Sequence, residues 1–271
     1  MAGTVLVTGA NSGIGQATAI ELARRGFRAV GSVRSAAKAA SVRSTARAAG
    51  VEVETVILDV TDPKACARVI ARLRPWGLVN NAGHSVTGAV EDIPDEEARA
   101  VFETMVLAPV RLARLALPHM RRAGAGRIVN MSSIYGVTTT PLAGWYQACK
   151  HAIEALSDAL RMEVAADGIK VILVEPGGFR TGIWEENERD VRRRAGSRYA
   201  GAYGRLLNGV RLTQRLLGEP EKVAQVVGGA LESRSPAPRY LVGYDAQLLA
   251  AVDKLVPTRI KDRVTRLTLG L

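Results

Sequence analysis

Thr4-Val-Leu-Val-Thr8-Gly9-Ala-Asn-Ser12-Gly13-Ile14-Gly15-Gln-Ala-Thr-Ala-Ile-Glu-Leu22-Ala-Arg-Arg-Gly26 is the stretch that decides the fold. Thr4 to Val7 is a short β-branched and aliphatic run. Ile14, Ala17, Thr18 and Leu22 then recur at helical spacing, and Gly26 ends the helix. Between strand and helix, Gly9, Gly13 and Gly15 let the backbone turn tightly and come close to a phosphate at the helix N-terminus. Ser12 and Ile14 belong to the same loop. The spacing is GxxxGxG, not the GxGxxG of the more familiar dinucleotide fingerprint. In isolation it would fit a tight turn with no ligand. Placed after a strand and Thr8, and opening a helix at residue 13, it reads as a phosphate cradle.

Outward from this unit the alternation continues. Strands are expected at Phe27 to Val33, Val51 to Leu58, Gly77 to Asn80, Arg127 to Met131, Lys170 to Val174 and Arg239 to Val242. Helices are expected up to about Ala49, from Asp62 to Leu73, from Asp95 to about Arg122, up to about Ala166, and from Glu219 to about Glu232. Strands alternating with helices of this length predict an α/β chain: βαβ units forming a doubly wound parallel sheet, with ligands at the carboxyl ends of its strands. The expected organisation is one domain over 1–271. A cofactor-binding and catalytic core spans 1–181, a substrate lid 182–218, and the last strand and C-terminal helices 219–271.

Those strand ends carry selective chemistry. The second strand closes with Val33 and Arg34, with no acid to take a ribose 2′-OH and one cation suited to a 2′-phosphate, which favours NADP over NAD. Asp59 and Val60 end the third strand, with Asp62 also placed to cap the next helix. Asn81, Ala82 and Gly83 follow the fourth. Further on, Tyr146 and Lys150 stand four apart on one helical face, and Ser133 precedes the tyrosine by thirteen positions. An ammonium one turn away is expected to lower the phenol's pKa, and the serine hydroxyl to hold a carbonyl or alcohol oxygen.

Composition narrows the class. The chain has 271 residues, 47% of them apolar and 23% charged, as in an ordinary soluble globular protein. Its net charge of +11 comes without a nucleic-acid motif and with few aromatic residues, so no nucleic-acid partner is expected. No run approaches bilayer length, no leader precedes the first strand, and the two cysteines form no metal-spaced cluster. The expected compartment is the cytoplasm, and no metal is called for.

Together TGANSGIG, DVTD, NNAG, Ser133, Tyr146 with Lys150, and Pro176-Gly177 with Thr181 make the chain resemble a classical short-chain dehydrogenase/reductase. Arg111 to Arg122, Gly126 to Ser133 and Arg239 to Ala246 resemble its 17β-hydroxysteroid and retinol dehydrogenase-like branch. The resemblance implies that Tyr146 is the general acid or base, that Lys150 tunes it and holds the nicotinamide ribose, and that Ser133 binds the substrate oxygen. It further implies NADP(H) contacts from Gly9, Ser12, Gly13, Ile14, Gly15, Arg34, Asp59, Val60, Asn81, Ala82 and Gly83, and from Pro176, Gly177 and Thr181 beside the nicotinamide. Subunit contacts through the long helix and the YxxxK helix are implied too, giving a homodimer or homotetramer.

One position departs from the family. Met105 stands where members usually carry an Asn thought to hold a water linking the lysine to solvent, and a thioether can only accept weakly. A nucleotide-binding sensor with weakened catalysis is the alternative that this residue raises. Residues 182–218 hold eight arginines (189, 192, 193, 194, 198, 205, 211 and 215) against four acids. Trp184, Tyr199, Tyr203, Leu206 and Leu207, with Trp145, are expected to build an apolar pocket for a hydrophobic alcohol or ketone. His84 is expected to be structural. The amphipathic tail, with Ile260, Val264, Leu267 and Leu271 on one face, is expected to cover a subunit or the pocket rather than lie on a membrane.

Overall fold

The structure, a computed structural model, describes residues 3–213 and 217–271. Seven parallel strands form one sheet in the order β3-β2-β1-β4-β5-β6-β7. They are β1 (Thr4–Val7), β2 (Arg28–Val33), β3 (Glu54–Ile57), β4 (Gly77–Asn80), β5 (Gly126–Met131), β6 (Ile169–Pro176) and β7 (Arg239–Val242). Because side chains alternate across a strand, each strand feeds two cores. Val5, Val7, Val129, Ile172 and Val174 pack under the helices α1 (Gly13–Arg24), α2 (Ala36–Ala48) and α9 (Pro220–Glu232). Leu6, Leu78, Ile128 and Val171 pack on the other face, under α3 (Pro63–Leu73), α5 (Ala108–Ala123) and α6 (Gly144–Glu163). Strands buried on both sides are what an all-parallel sheet requires, and they read as near-continuous aliphatic runs. Asp62 caps α3 by accepting from the N–H groups of Lys64 and Ala65.

The third strand is shorter than expected, and the long helix is not one helix. It runs as α4 (Asp95–Phe102), a wide π turn over Glu103–Leu107, and α5. Pro109 has no N–H to give the carbonyl of Met105, and its ring would crowd that carbonyl. The turn just before Pro109 is wound wide, and Met105 sits inside it, buried. Such π turns recur at functional sites.

The segment after β6 folds as α7 (Ile183–Arg193) and α8 (Ala200–Thr213); of its described arginines only Arg194 is turned inward, and the others are exposed. Arg194, its side chain 9% exposed, holds both oxygens of Glu97 at 2.7 Å, Arg193 pairs with Asp190, and Asp190 accepts from the Thr87 N–H. Arg215 lies outside the described residues. Tyr203 donates to Asp92 at 2.6 Å and accepts from the Ala89 N–H at 2.7 Å. With Tyr199, Leu206 and Leu207 it packs on Leu142 and Val191 as a small core of its own. Contrary to expectation, these four residues therefore do not line the cleft. A phenol anchored at both ends of its hydroxyl closes the lid onto residues 85–97 instead.

The tail folds as α10 (Tyr244–Leu255) and α11 (Thr258–Leu269). Ile260, Val264 and Leu267 are exposed, and α11 touches the lid through Leu269, so the apolar face does not cover its own chain's cleft. Among the described residues no helix is long and apolar enough to cross a membrane.

Tyr203→Phe leaves Asp92 and the Ala89 N–H without that partner and should cost about 1–3 kcal/mol. Hydrogen exchange is expected to speed up over residues 183–207 and 85–97 while the sheet keeps its protection. Uniform loss across the sheet would mean that the lid is not the unit held by Tyr203.

Candidate active site

The carboxyl ends of β1, β2, β4, β5 and β6 open onto one cleft of about 650 Å³. Its floor is set where the chain crosses from β3 to β4. Thr8 Oγ1 accepts from the N–H groups of Asn81 and Ala82, each at 2.9 Å, and the Asn81 amide donates to the carbonyls of Thr8 and Gly9. The glycine loop is thereby bolted to the end of β4. Gly9 and Gly13 have φ of 66° and 52°, in the left-handed region. A Cβ on Gly9 would meet the Ala82 backbone at 2.8 Å, and one on Gly15 would lie 2.4 Å from the Gly9 carbonyl. What remains is a bare backbone cradle at the start of α1, shaped for a phosphate.

At one end of the cleft stand Arg34 and Lys38, the latter in the first turn of α2, whose N-cap is Ser35. Lys38 was not foreseen, and its spacing of four from Arg34 was the available signal. Asp59 lies at the same end, with its Oδ1 held by the Thr61 N–H and hydroxyl; those bonds and nearby Arg34 keep its carboxyl below the usual range. Val60, Asn81, Ala82 and Gly83 continue the wall, followed by Met105, Pro176, Gly177 and Thr181. Asp245, from the start of α10, accepts from the Gly178 N–H at 2.6 Å and fills the space a Gly177 side chain would need. Sequence reasoning missed this positioning residue; it is the first acid after β7.

At the other end Ser133, Tyr146 and Lys150 meet, as their spacing led us to expect. The Ser133 hydroxyl bonds the Tyr146 phenol, donates weakly to the Pro176 carbonyl at 3.4 Å, and accepts from the Tyr135 N–H. Tyr135 meets the Tyr146 ring edge to face at 6.3 Å. The helix that carries Tyr146 follows Leu142, a buried side chain with φ of 68°, a strained conformation for leucine. Lys150 donates to the Met131 carbonyl at 2.7 Å, and its ammonium sits 5.5 Å from the centre of the Tyr146 ring. Buried Cys149 points away, with burial holding its thiol up at about 11, which makes it a packing group.

The electrostatics differ from the simple pairing. Burial pushes the Tyr146 phenol up to about 12, opposed by the Ser133 hydrogen bond. Burial also pulls the Lys150 ammonium down to about 8, opposed by the charge of Glu154. Without a ligand the ammonium therefore does not depress the phenol, because it is turned to a backbone carbonyl under the ring and desolvation outweighs the attraction. At neutral pH the phenol holds its proton and is set to donate.

His84 lines the cleft, as do Trp184, Phe179 and Ile183. Trp145 does not, and its indole N–H donates to the Val90 carbonyl.

The short chain dehydrogenase family matches residues 3–192. The oxidoreductase YusZ of Bacillus subtilis is 33% identical over 93% of each chain. Retinol dehydrogenase 16 of Rattus norvegicus is 33% identical over 95% of this chain and 86% of its own. Among solved structures, a single-residue variant of actinorhodin polyketide ketoreductase with NADPH superposes with a TM-score of 0.77. It is 29% identical over 89% of this chain and 95% of its own.

The buried ammonium gives a pH signature. Lys150 titrates near 8 when folded and at 10.5 when unfolded, so between these values the unfolded chain binds more protons and stability rises with pH. The full shift corresponds to about 3 kcal/mol. Lys150→Met should lack that rise, so in calorimetry without cofactor the wild-type Tm should gain on the variant's between about pH 8 and 10. Tyr146, shifted upward, acts in the opposite sense only above about pH 10. A constant Tm difference would mean that the ammonium is solvated.

Proposed function

We propose, for a chain that belongs to the short-chain dehydrogenase family, an NADP(H)-dependent oxidoreductase acting on a hydrophobic secondary alcohol or its ketone. The observation that carries this is the convergence of Ser133, Tyr146 and Lys150 at one end of a cleft whose other end is a glycine cradle. Residues that fit the cofactor are present throughout. Gly9, Ser12, Gly13, Ile14 and Gly15 would take the pyrophosphate, and Arg34 with Lys38 the 2′-phosphate. Asp59 and Val60 would border the adenine, and Asn81, Ala82 and Gly83 the adjoining ribose. Pro176, Gly177 and Thr181 would flank the nicotinamide, whose chemistry is to supply or accept a hydride.

The chain's own residues then manage position and protons. Ser133 Oγ holds the substrate oxygen, and Tyr146 Oη gives it a proton during ketone reduction or takes one during alcohol oxidation. Lys150 keeps a positive charge beside both, which favours the phenolate that forms when Tyr146 has given up its proton. Phe179, Ile183 and Trp184 offer the substrate an apolar wall, in keeping with the retinol named for one relative. Exposed Leu107 and Val110, around the start of α5, and exposed Leu156 and Met162 on α6 support a homodimer or homotetramer built on these helices. The free, buried cysteines accord with the cytoplasm. The alternative, a nucleotide-binding regulator, rests on Met105 alone.

Purified protein with NADPH and a series of aryl ketones, steroids and quinones tests the reading. Tyr146→Phe should lower turnover by about 10²–10⁴ and leave NADPH affinity nearly unchanged. NADPH that raises Tm while no carbonyl is ever reduced would favour the regulator.

Arg34→Asp combined with Lys38→Ala should weaken NADPH binding by roughly tenfold to a hundredfold and spare NADH. Calorimetric titration with both cofactors checks this. An unchanged NADPH:NADH ratio would mean the 2′-phosphate is read elsewhere.

A further inference from the structure

On its cleft side, Lys150 shares the wall with Met105, a side chain that cannot donate a proton. Met105 lines the cleft there, its thioether is buried against Gly83, and its neighbours Val86, Val101 and Cys149 are apolar or inert. The side toward the sheet is different. Glu154 lies one turn along α6 on the face that carries Lys150, and Glu175 stands on β6; they are 6% and 3% exposed. Met131 pairs with Val174 across β5 and β6, so Ser132 and Glu175 follow side by side. A Cβ on Gly136 would lie 2.6 Å from Ser132 Oγ and 3.1 Å from Glu154 Oε1, so both oxygens border one space that a glycine keeps clear. Ser132 Oγ, Glu154 Oε1 and Glu175 Oε1 are buried with no conventional hydrogen-bond partner among the described residues.

The side chains of Glu154 and Glu175 face each other, and a proton held on Glu175 lets that carboxyl donate to Glu154. Arg239 Nε meets Glu154 at 3.1 Å and Glu175 at 3.3 Å, and its Nη2 holds Asp158 at 2.5 Å. Arg161 also binds Asp158, while Lys254 faces Glu175 from α10. Beside Lys150, then, Arg239 is shared among three carboxylates, two of them buried. The Arg239 side chain is 37% exposed, so this polar seam ends at water.

We propose that Glu154 and Glu175, sharing one proton beneath Lys150 and opening to solvent at Arg239, resupply the proton of the Tyr146–Lys150 site in this chain. The proposal rests on the oxidoreductase reading above. In reduction, Tyr146 Oη gives its proton to the substrate oxygen, and Lys150 Nζ returns one to Tyr146. The Ser132 hydroxyl, free of other partners, turns to carry the shared proton from the carboxyl pair to Lys150 across the space that Gly136 keeps clear, and water at Arg239 reloads the pair. One proton enters for each that leaves in the alcohol, and oxidation runs every transfer backwards. Burial and the charge of Glu154, opposed by Arg239, push the Glu175 carboxyl up to about 7, where it can load and unload.

Glu154 and Glu175 act through Lys150, so they are positioning residues and the test must separate supply from chemistry. With NADPH and whichever aryl ketone the wild type reduces, Glu175→Gln should keep the single-turnover rate within about twofold, because Tyr146 starts protonated. Its steady-state kcat should fall about tenfold or more, with KM unchanged and the kcat limb near pH 7 flattened. Glu154→Gln should behave alike, and Glu175→Asp should recover part of the loss. Without substrate, infrared titration of the wild type should show a protonated carboxyl that fades near pH 7 and is missing in Glu175→Gln. An active Glu175→Gln with wild-type steady-state kcat and pH profile overturns the relay and leaves the oxidoreductase reading standing. Equal losses in single and multiple turnover, or no carboxyl band, overturn it too. A wild type that shows the band but reduces no ketone defeats the oxidoreductase reading instead, and the relay with it, leaving only a titrating pair.

Discussion

A buried ammonium is the constraint around which the catalytic end of this protein is arranged. Among the described residues no carboxylate pairs with Lys150, and its ammonium donates to one backbone carbonyl, that of Met131 at the end of β5. Desolvation draws it toward losing that proton, so its charge persists only through what surrounds it. Glu154 below favours the charge, and the Tyr146 ring above receives it at cation–π distance. The same desolvation keeps the phenol protonated until a reaction stabilises its anion. Burial thus sets both groups against their ordinary states, as sites of proton transfer tend to do.

The cofactor end depends instead on hydrogen-bond donors. Two backbone N–H groups at the end of β4 converge on the Thr8 hydroxyl, which donates in turn to the Val79 carbonyl. This ties β1 to β4 where the sheet order changes direction, the place where open parallel sheets bind ligands. Asn81 commits its amide to the Thr8 and Gly9 carbonyls, so much of its role in the site is to hold the loop in place. Asp245 does the same for the turn after β6.

The lid joins the two ends. One of its cations, Arg194, turns inward to Glu97 and fastens the segment, while its other described arginines stay exposed, several of them paired with the lid's own acids. Its aromatic residues likewise make a separate core, leaving Trp184, Ile183 and nearby Phe179 to meet a substrate. The cleft's apolar wall is therefore smaller than the lid's composition suggested.

The sequence by itself determined the sheet, its order of elements and the meeting of Ser133 with Tyr146 and Lys150. These depend on periodicity, on glycines with no substitute, and on spacing along single elements, all of which are local. It determined too that Arg34 would end β2, though not that Lys38 joins it. Only the tertiary structure decided which way the lid's residues face, how far the phenol's pKa moves, and what stands behind Lys150. Glu154 is one turn from Lys150 in the chain, yet Ser132, Glu175 and Arg239 come from three neighbouring strands or their ends, and no pattern along a sequence brings them together. Their protonation depends on burial and on one another, quantities that exist only once the sheet has closed over them.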